Sequence, residues 1–290
     1  MALTAGPRPQ RPAWLRAPAP AGEGYREVKT LVDHLGLHTV CQSASCPNLG
    51  DCWNRRTATF LLLGSVCTRH CGFCAVSKGR PKPPDLDEPR RVAEAVAALQ
   101  LRYAVLTSVT RDDLPDGGAG QFAAAISTIR ERVPGCRVEV LVPDFQGSRQ
   151  ALRTVLQAAP DVLNHNLETV PRLYPQVRPG ACYDRSLALL EEGCQSRPPV
   201  PAKSGLMLGL GESGEEVLAV MLDLRAAGVA LLTLGQYLQP SAAHLRVRRF
   251  VPPQEFEELA CRGRRMGFAS VEAGPLVRSS YHAASQHQRP

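Results

Sequence analysis

The sequence predicts an α/β fold in which six parallel strands, each followed by a helix, form a partial (β/α)6 barrel of the TIM type. Strand-like apolar runs alternate with helix-like segments from about residue 58 onward. The runs lack strict polar–apolar alternation, which is typical of strands buried on both faces of a parallel sheet. Polar residues gather where the runs end, the usual position of catalytic groups in such barrels. A doubly wound sheet is the competing architecture, since periodicity alone does not separate the two.

The predicted elements follow one another at short, regular spacing. The strands are ATFLLLG (58–64), YAVLTSV (103–109), RVEVLVPD (137–144), DVLNHNLE (161–168), SGLMLGL (204–210) and ALLTLGQYL (230–238). The helices are EPRRVAEAVAALQ (88–100), GQFAAAISTIRERV (120–133), SRQALRTVLQA (148–158), DRSLALLEEG (184–193), GEEVLAVMLDLRAAG (214–228) and PPQEFEELACRGRRMG (252–267). Residues 58–267 are therefore expected to form the barrel, residues 1–57 an N-terminal extension and residues 268–290 a C-terminal extension.

Composition and charge are those of an ordinary globular chain. Of the 290 residues, 44% are hydrophobic and 21% charged, and no apolar run approaches the roughly 20 residues that span a bilayer. The proline-rich N-terminal segment has no apolar core, so we expect no secretory signal, an extended N-terminal arm and a cytoplasmic location. The net charge of +7 comes mostly from scattered arginines. It fits a generally basic surface, an acidic protein partner or a nucleic acid.

The chain has ten cysteines, and six of them lie between residues 41 and 74. In a long chain without an export signal, such a cluster favours metal binding over a disulfide framework. The six form two groups, the upstream triad of Cys41, Cys46 and Cys52 and the downstream triad of Cys67, Cys71 and Cys74.

The downstream triad has the spacing Cys-x3-Cys-x2-Cys in a short loop after an apolar run. Three thiolates can hold three irons of a [4Fe–4S] cluster, and because full cysteine ligation needs four, one iron stays open for a small molecule. Zinc is the alternative, but structural zinc usually has two cysteine pairs or a cysteine and a histidine pair. Only one Cys-x2-Cys is present here, and His70 is interpreted as a loop residue.

The upstream triad has the spacing Cys-x4-Cys-x5-Cys, and Pro47 and Gly50 predict a loop that can wrap around a cluster. In this order the two spacings resemble those of the lipoyl synthases, a family of radical S-adenosylmethionine enzymes. Phe73, the aromatic residue before the third downstream cysteine, matches as well. The resemblance covers roughly residues 11–283 and includes SVTRDDLPDGGA (108–119), NHNLETVPRLY (164–174), VRPGA (177–181), KSGLMLGLGE (203–212) and GPLVRSSYHA (274–283). Residues 42–45 read QSAS where charged residues are expected, but this loop is a scaffold.

The resemblance implies a sulfurtransferase that inserts two sulfur atoms at carbons 6 and 8 of a protein-bound octanoyl-lysine to give the lipoyl cofactor. It implies S-adenosylmethionine and two [4Fe–4S] clusters as cofactors. The downstream triad would hold the cluster that cleaves S-adenosylmethionine. The upstream triad and Ser280, with Ser279 as the alternative, would hold the cluster that donates sulfur. Arg278 is expected to hold that serine, or a cluster intermediate, by hydrogen bonding.

Polar residues at the predicted strand ends are candidate cofactor contacts. Asn166 and Glu168 are expected to bind the ribose hydroxyls of S-adenosylmethionine, and the alternative is that they cap the strand end. Candidates for the methionyl end or the substrate are Thr107, Ser108 and Lys203. Lys203 precedes an apolar run, so an amine that simply reaches solvent is its other interpretation.

The implied partners are octanoylated lipoyl carrier domains, those of 2-oxoacid dehydrogenase E2 subunits and of the glycine cleavage H protein. An electron donor such as ferredoxin or flavodoxin and a carrier that repairs the cluster are also implied, whereas a nucleic acid or a membrane is not. A biotin synthase-like sulfur inserter is the main alternative, but it would not need the upstream triad together with RSSY (278–281). A methylthiotransferase would need domains that are absent here. A zinc-binding nucleic-acid module is the non-enzyme alternative, and metal analysis would distinguish it from an iron–sulfur enzyme.

Overall fold

Seven parallel strands form one sheet in the computed structural model, which describes residues 11–288. The first ten residues of the predicted N-terminal arm lie outside the described residues. The strands of the chain are β1 Thr59–Leu62, β2 Val66–Cys67, β3 Ser77–Lys78, β4 Tyr103–Ser108, β5 Arg137–Leu141, β6 Val162–Asn164, β7 Ala202–Leu208, β8 Leu231–Gln236 and β9 Ser270–Gly274. The large sheet has the order β1-β4-β5-β6-β7-β8-β9, and β2 pairs with β3 separately. Within residues 11–288 no pairing joins β9 back to β1, so the barrel is partial.

Helices connect successive strands of the sheet, as parallel strands require. They are α1 Glu23–His34, α2 Val40–Ser43, α3 Leu49–Asn54, α4 Glu88–Ala98, α5 Ala119–Arg132, α6 Arg149–Gln157, α7 Tyr174–Val177, α8 Tyr183–Cys194, α9 Gly214–Ala226, α10 Pro253–Arg265 and α11 Ala283–Gln288. The alternation of strand and helix from β1 to α10 confirms the predicted α/β class. None of the described helices combines the length and apolar character that a membrane span requires.

The sheet has one strand more than the six predicted. Strand β9 lies in the segment that was expected to form the C-terminal extension, and it pairs in parallel with β8. Only Ser270 and Val271 of its five residues are buried. Its apolar signal is therefore too weak to be recognised without the neighbouring strand, and the barrel extends to Gly274.

The N-terminal extension packs against the edge of β1. Thr39 forms an antiparallel bridge with Phe60, and the Leu61 N–H donates to His38 O at 2.8 Å. The fully buried Trp53 stacks on Tyr25 with ring centres 5.3 Å apart. These contacts cover the sheet edge and place α2 beside β1.

Candidate active site

A cavity of about 310 Å³ opens toward the carboxyl ends of the strands. Residues of β1, β4, β7 and β8 contribute to its wall, together with residues of both chain extensions. It is more than about ten times as large as the space that one water molecule needs, so it can hold a sizeable ligand. Five of the six triad cysteines line it: Cys41, Cys46, Cys67, Cys71 and Cys74.

The loop of the downstream triad is fixed to the segment that follows β4. The Cys67 sulfur accepts hydrogen bonds from the N–H groups of Thr110 at 3.3 Å and Arg69 at 3.5 Å. The Thr68 hydroxyl donates to Thr110 O at 2.9 Å and accepts from the Asp112 N–H at 3.1 Å. The first cysteine of the triad therefore has a defined position relative to the barrel.

Arg69, between the first two cysteines of this loop, enters a buried ion-pair network. Its guanidinium contacts Asp112 at 2.7 Å and Asp144 at 2.6 Å. The side chain of Asp144 is fully buried and also accepts from Arg185 Nε at 2.9 Å. Burial alone would raise the pKa of Asp144, but the hydrogen bond and charge of Arg69, with the charge of Arg185, hold it below its ordinary value. The network ties the cysteine loop to the segments after β4 and β5 and to α8. The sequence analysis did not identify it, because partners so far apart in the chain leave no local pattern.

The other side of the loop is held by His244 and Leu245. The Leu245 N–H donates to Gly72 O at 3.0 Å, and His244 Nε2 lies 3.0 Å from Cys74 O. A Cβ atom at position 72 would come within 2.9 Å of the Leu245 side chain. Glycine at this position therefore permits the close approach of the two loops.

Two short helices carry the upstream triad. Cys41 lies in α2, which the Thr39 side chain caps, and Cys52 lies in α3. Cys46 lies between them, and its N–H donates to Cys41 O at 3.0 Å. Burial, reinforced by the charges of the neighbouring thiols, raises the pKa of Cys41 to about 11 and that of Cys52 to about 12. The three thiols are therefore close enough to influence one another.

The donor chemistry of both triads fits iron–sulfur clusters. All six thiols are free, and thiolates are the usual ligands of such clusters. Burial raises the pKa of Cys71 and that of Cys74, the latter to about 11, so a cluster would displace their protons on binding. No three His, Cys, Asp or Glu side chains among residues 11–288 converge on a single metal ion.

The C-terminal segment brings Ser279 and Ser280 to the cavity wall. The Ser279 hydroxyl accepts from Asn166 Nδ2 at 2.5 Å. The Ser280 hydroxyl has no hydrogen-bond partner within the described part of the chain. Of the two serines, Ser280 is therefore the one whose oxygen is available to a ligand in the cavity.

Arg278 lines the cavity wall next to Ser279 and Ser280. Burial lowers the pKa of its guanidinium, whereas the nearby Cys46 and Glu168 raise it. Its Nη1 donates to Val277 O at 2.6 Å. The positive charge of Arg278 therefore interacts with both Cys46 and Glu168.

Contacts with the N-terminal extension hold the serine segment in place. Asn48 Nδ2 donates to Leu276 O at 2.7 Å, and Tyr281 Oη lies 3.4 Å from Asp51 Oδ2. Asp51 directly precedes Cys52 in the chain. The two extensions therefore meet next to the upstream triad.

Asn166 and Glu168, the predicted ribose contacts, both line the cavity wall. Asn166 Nδ2 donates to Glu168 Oε1 at 3.0 Å, and Asn166 Oδ1 is buried without a partner. Ser108 Oγ is likewise buried without a hydrogen bond within residues 11–288. Unsatisfied buried polar atoms that face a cavity mark where a polar ligand would bond. Glu168 has a φ of 65°, and burial raises the pKa of its carboxyl, although Arg178 opposes that shift.

The remaining predicted contacts differ in their placement. Phe73 and Thr107 line the cavity, and the Thr107 hydroxyl donates to Leu141 O at 2.9 Å. Lys203 is fully buried, with Nζ 3.1 Å from Glu139 Oε1, and it is not part of the cavity wall. This position does not support the predicted contact of Lys203 with the methionyl group or the substrate. It also does not support the alternative interpretation, in which the amine of Lys203 reaches solvent. The acid that neutralises Lys203 lies on another strand, so the local sequence gave no sign of it.

Arg178 is a cavity residue that the sequence analysis did not select. Its Nη1 donates to Asn166 O at 2.8 Å and to Leu167 O at 3.1 Å, and its guanidinium lies 5.4 Å from the ring centre of Tyr174. It thereby fixes the backbone beside Asn166 and adds positive charge near Glu168. The residue type alone does not distinguish a buried arginine from a surface one.

Comparisons with known proteins agree with this geometry. The profile of the Radical SAM superfamily matches residues 61–224. A lipoyl synthase of Rubrobacter xylanophilus is 59% identical over 276 residues, which are 95% of this chain and 86% of the relative. A lipoyl synthase of Methylococcus capsulatus is 56% identical over 278 residues, 96% of this chain and 86% of the relative.

Solved structures show the same fold at low sequence identity. HydG, a maturase of the [FeFe]-hydrogenase, aligns with a TM-score of 0.57 and 14% identity over 85% of this chain and 62% of its own. Methylornithine synthase (PylB) aligns with a TM-score of 0.55 and 14% identity over 83% of this chain and 73% of its own.

Proposed function

From the membership of this chain in the lipoyl synthase family of radical SAM enzymes, we propose how its residues divide the work of sulfur insertion. The reaction replaces hydrogens at carbons 6 and 8 of a protein-bound octanoyl-lysine by two sulfur atoms, which gives the lipoyl cofactor. Both carbons are unactivated, so no acid or base near neutral pH can remove their hydrogens. When bound, S-adenosylmethionine and two [4Fe–4S] clusters supply radical hydrogen abstraction and the inserted sulfur. The observation that carries the proposal is that five of the six triad cysteines line one cavity together with Ser280.

The downstream triad holds the cluster at which S-adenosylmethionine binds. Cys67, Cys71 and Cys74 supply three thiolates and leave one iron for the methionyl group. Asn166 and Glu168 receive the ribose hydroxyls, in support of which Asn166 Oδ1 lacks a partner. Thr107 and Ser108 lie on the cavity wall, where Ser108 Oγ has no hydrogen-bond partner among residues 11–288, and Phe73 lines the same cavity and would lie near the cluster.

The upstream triad and Ser280 hold the cluster that gives up sulfur. Three thiolates, from Cys41, Cys46 and Cys52, keep most of it attached to the N-terminal extension. A serine oxygen is a harder donor than a thiolate and suits iron less well, so Ser280 is the ligand that is most easily replaced. Arg278 lies beside Cys46 and can donate hydrogen bonds to the serine oxygen or to the cluster.

A single-turnover assay tests this division of labour. The reconstituted protein is mixed with S-adenosylmethionine, reductant and an octanoyl-lysyl peptide, and mass spectrometry follows the dithiolated peptide and 5′-deoxyadenosine. We expect Cys46→Ala to abolish sulfur insertion while cleavage of S-adenosylmethionine continues. Cys71→Ala should abolish both, and Cys261→Ala, a cysteine outside both triads, should change neither. Insertion that persists in Cys46→Ala would contradict the assignment of the sulfur donor.

The same activity implies the partners. We propose octanoylated carrier domains of 2-oxoacid dehydrogenase E2 subunits and of the glycine cleavage H protein as substrates. A ferredoxin or flavodoxin would reduce the clusters, and a carrier protein would rebuild the cluster that is consumed. Copurification of an octanoylated domain with a Cys71→Ala variant, which does not turn over, would support the first of these partners.

A further inference from the structure

Two exposed segments with unpaired positive charge flank the downstream triad. We call their cations the basic rim: Lys78, Arg80, Lys82, Arg246 and Arg248. All five residues are exposed, and within residues 11–288 none of them forms an ion pair. Exposed cations without a carboxylate partner are available to an incoming charged surface.

Both segments are attached to the cysteine loop itself. In the first segment, Lys78 pairs with Cys67 in the short β2–β3 ladder, and the Gly79 N–H donates to Cys67 O at 3.0 Å. In the second, Leu245 directly precedes Arg246, and its N–H donates to Gly72 O at 3.0 Å. The basic rim therefore lies next to the residues proposed to hold the S-adenosylmethionine cluster.

Three acids close to the basic rim are already paired with arginines outside it. Asp112 is paired with the buried Arg69, and Asp113 is paired with Arg111 at 2.8 Å. Glu255 is paired with Arg249, next to the second segment, at 2.6 Å. Asp113 also attracts Arg80, so these acids offset only part of the positive charge of the rim.

Another group of arginines has a different explanation. Arg262, Arg264 and Arg265 lie in the last turn of α10, where cations complement the helix dipole. This turn precedes β9 and so lies at the amino ends of the strands, opposite the cavity mouth. These residues provide a matched control of similar charge and exposure.

We propose that the basic rim docks an acidic face of the folded carrier domain whose octanoyl-lysine enters the cavity. The inference rests on the proposed function, because a chain attached to a domain reaches the cavity only when that domain sits at its mouth. Opposite charge steers such encounters and fixes their orientation. A single-stranded nucleic acid is less suited, because residues 78–82 and 246–248 contain no Phe, Tyr or Trp on which bases could stack.

Two double variants of equal charge change test the proposal. Arg246→Gln/Arg248→Gln removes two rim charges, and Arg262→Gln/Arg265→Gln removes two at the opposite end. Each reconstituted protein is titrated with a fluorescently labelled octanoylated carrier domain at low and physiological salt. Turnover of a short octanoyl-lysyl peptide is measured in parallel. The rim variant should bind the domain about fivefold more weakly at low salt, with a smaller difference at higher salt. The control should bind as the wild type does.

The peptide assay distinguishes a failure of the docking proposal from a failure of the proposed function. Peptide turnover in the rim variant should stay within about twofold of the wild type, because the peptide has no domain to dock. If rim and control variants bind the domain equally well while peptide turnover is intact, the rim is not the docking surface. If the wild type fails to convert the peptide, the proposed function fails instead. Binding of an RNA oligonucleotide that depends on the rim and is not displaced by the carrier domain would also overturn the proposal.

Discussion

Replacement of Arg69 by methionine tests whether the ion-pair network positions the downstream cysteine loop. The change leaves the fully buried Asp144 with Arg185 and the Gln146 N–H, which lies 3.1 Å from Asp144 Oδ1. Breaking a buried ion pair on one side costs about 3–5 kcal/mol. Because Arg185 still compensates part of the charge, we expect the lower end, about 3 kcal/mol of the free energy of unfolding. The Asp112 side chain is 31% exposed, so its lost contact adds less than about 1 kcal/mol.

Urea unfolding of the cluster-free protein measures this loss without any contribution from bound iron. Arg90→Met is the matched control, because Arg90 also makes two short contacts to one carboxylate, that of Asp87, at 2.7 and 2.8 Å. Its side chain is 55% exposed, so the control should lose much less stability than Arg69→Met does. Equal losses in the two variants would refute the argument from burial.

The iron content after reconstitution tests the position of the cysteine loop separately from the stability of the protein. Below the denaturation temperature, Arg69→Met should bind about half of the wild-type iron, because only the upstream site keeps its geometry. The double variant Arg69→Met/Asp144→Leu removes both charges and should recover part of the lost stability. Strictly additive losses in the double variant would show that the two side chains do not act as a pair.

Buried groups elsewhere in the barrel lead to three more expectations. Burial, and after it the charge of Arg178, lowers the pKa of His165 to about 4. As the pH falls below about 6.5, this histidine is therefore protonated in the unfolded chain before it is protonated in the folded protein. Between pH 6.5 and 4, the free energy of unfolding of the wild type, measured in urea, should therefore fall by about 3 kcal/mol more than that of His165→Gln. Parallel pH profiles of the two proteins would contradict this expectation. Glu168→Gln should weaken binding of S-adenosylmethionine about tenfold by calorimetry, and unchanged affinity would remove Glu168 from the cofactor site. Lys203→Met should lower the free energy of unfolding by about 3–5 kcal/mol, because Glu139 is left buried without its partner. A large loss of affinity for S-adenosylmethionine in the folded variant would instead restore the sequence-based role of Lys203.

The barrel elements could be predicted because their signal is local. A strand such as β4 is a buried apolar run, and α10 shows one buried face with cations in its last turn. Strand β9 was not predicted, because only two of its residues are buried and its formation depends on pairing with β8. The short β6 ends at Asn164, whereas the predicted strand continued to Glu168. Glu168 rejoins the sheet by a bridge to Leu206, a contact that the sequence does not show.

The candidate site likewise contains features that are local in the sequence and features that only the fold brings together. Each cysteine triad lies within a short stretch of chain, so its spacing alone indicated a cluster. The network around Arg69 and the pairing of Lys203 with Glu139 join residues that are 41 or more positions apart. Charge and residue type predict that such side chains need partners, but only the fold decides which partners they find.

The split of the proposed sulfur-donor site between the two chain ends has an energetic consequence. Its three thiols belong to the N-terminal extension, whereas Ser280 is on a segment that begins more than 200 positions later. That segment is held by the Asn48–Leu276 hydrogen bond, by the hydrogen bond from Asn166 to Ser279 and by the long contact from Tyr281 to Asp51, whose side chain is 40% exposed. Polar contacts of this kind contribute about 1 kcal/mol each, so displacing the segment should cost less than unfolding the barrel. Under the proposed function, Ser280 would ligate the cluster from this more easily displaced segment, whereas Cys41, Cys46 and Cys52 would retain it on the N-terminal extension.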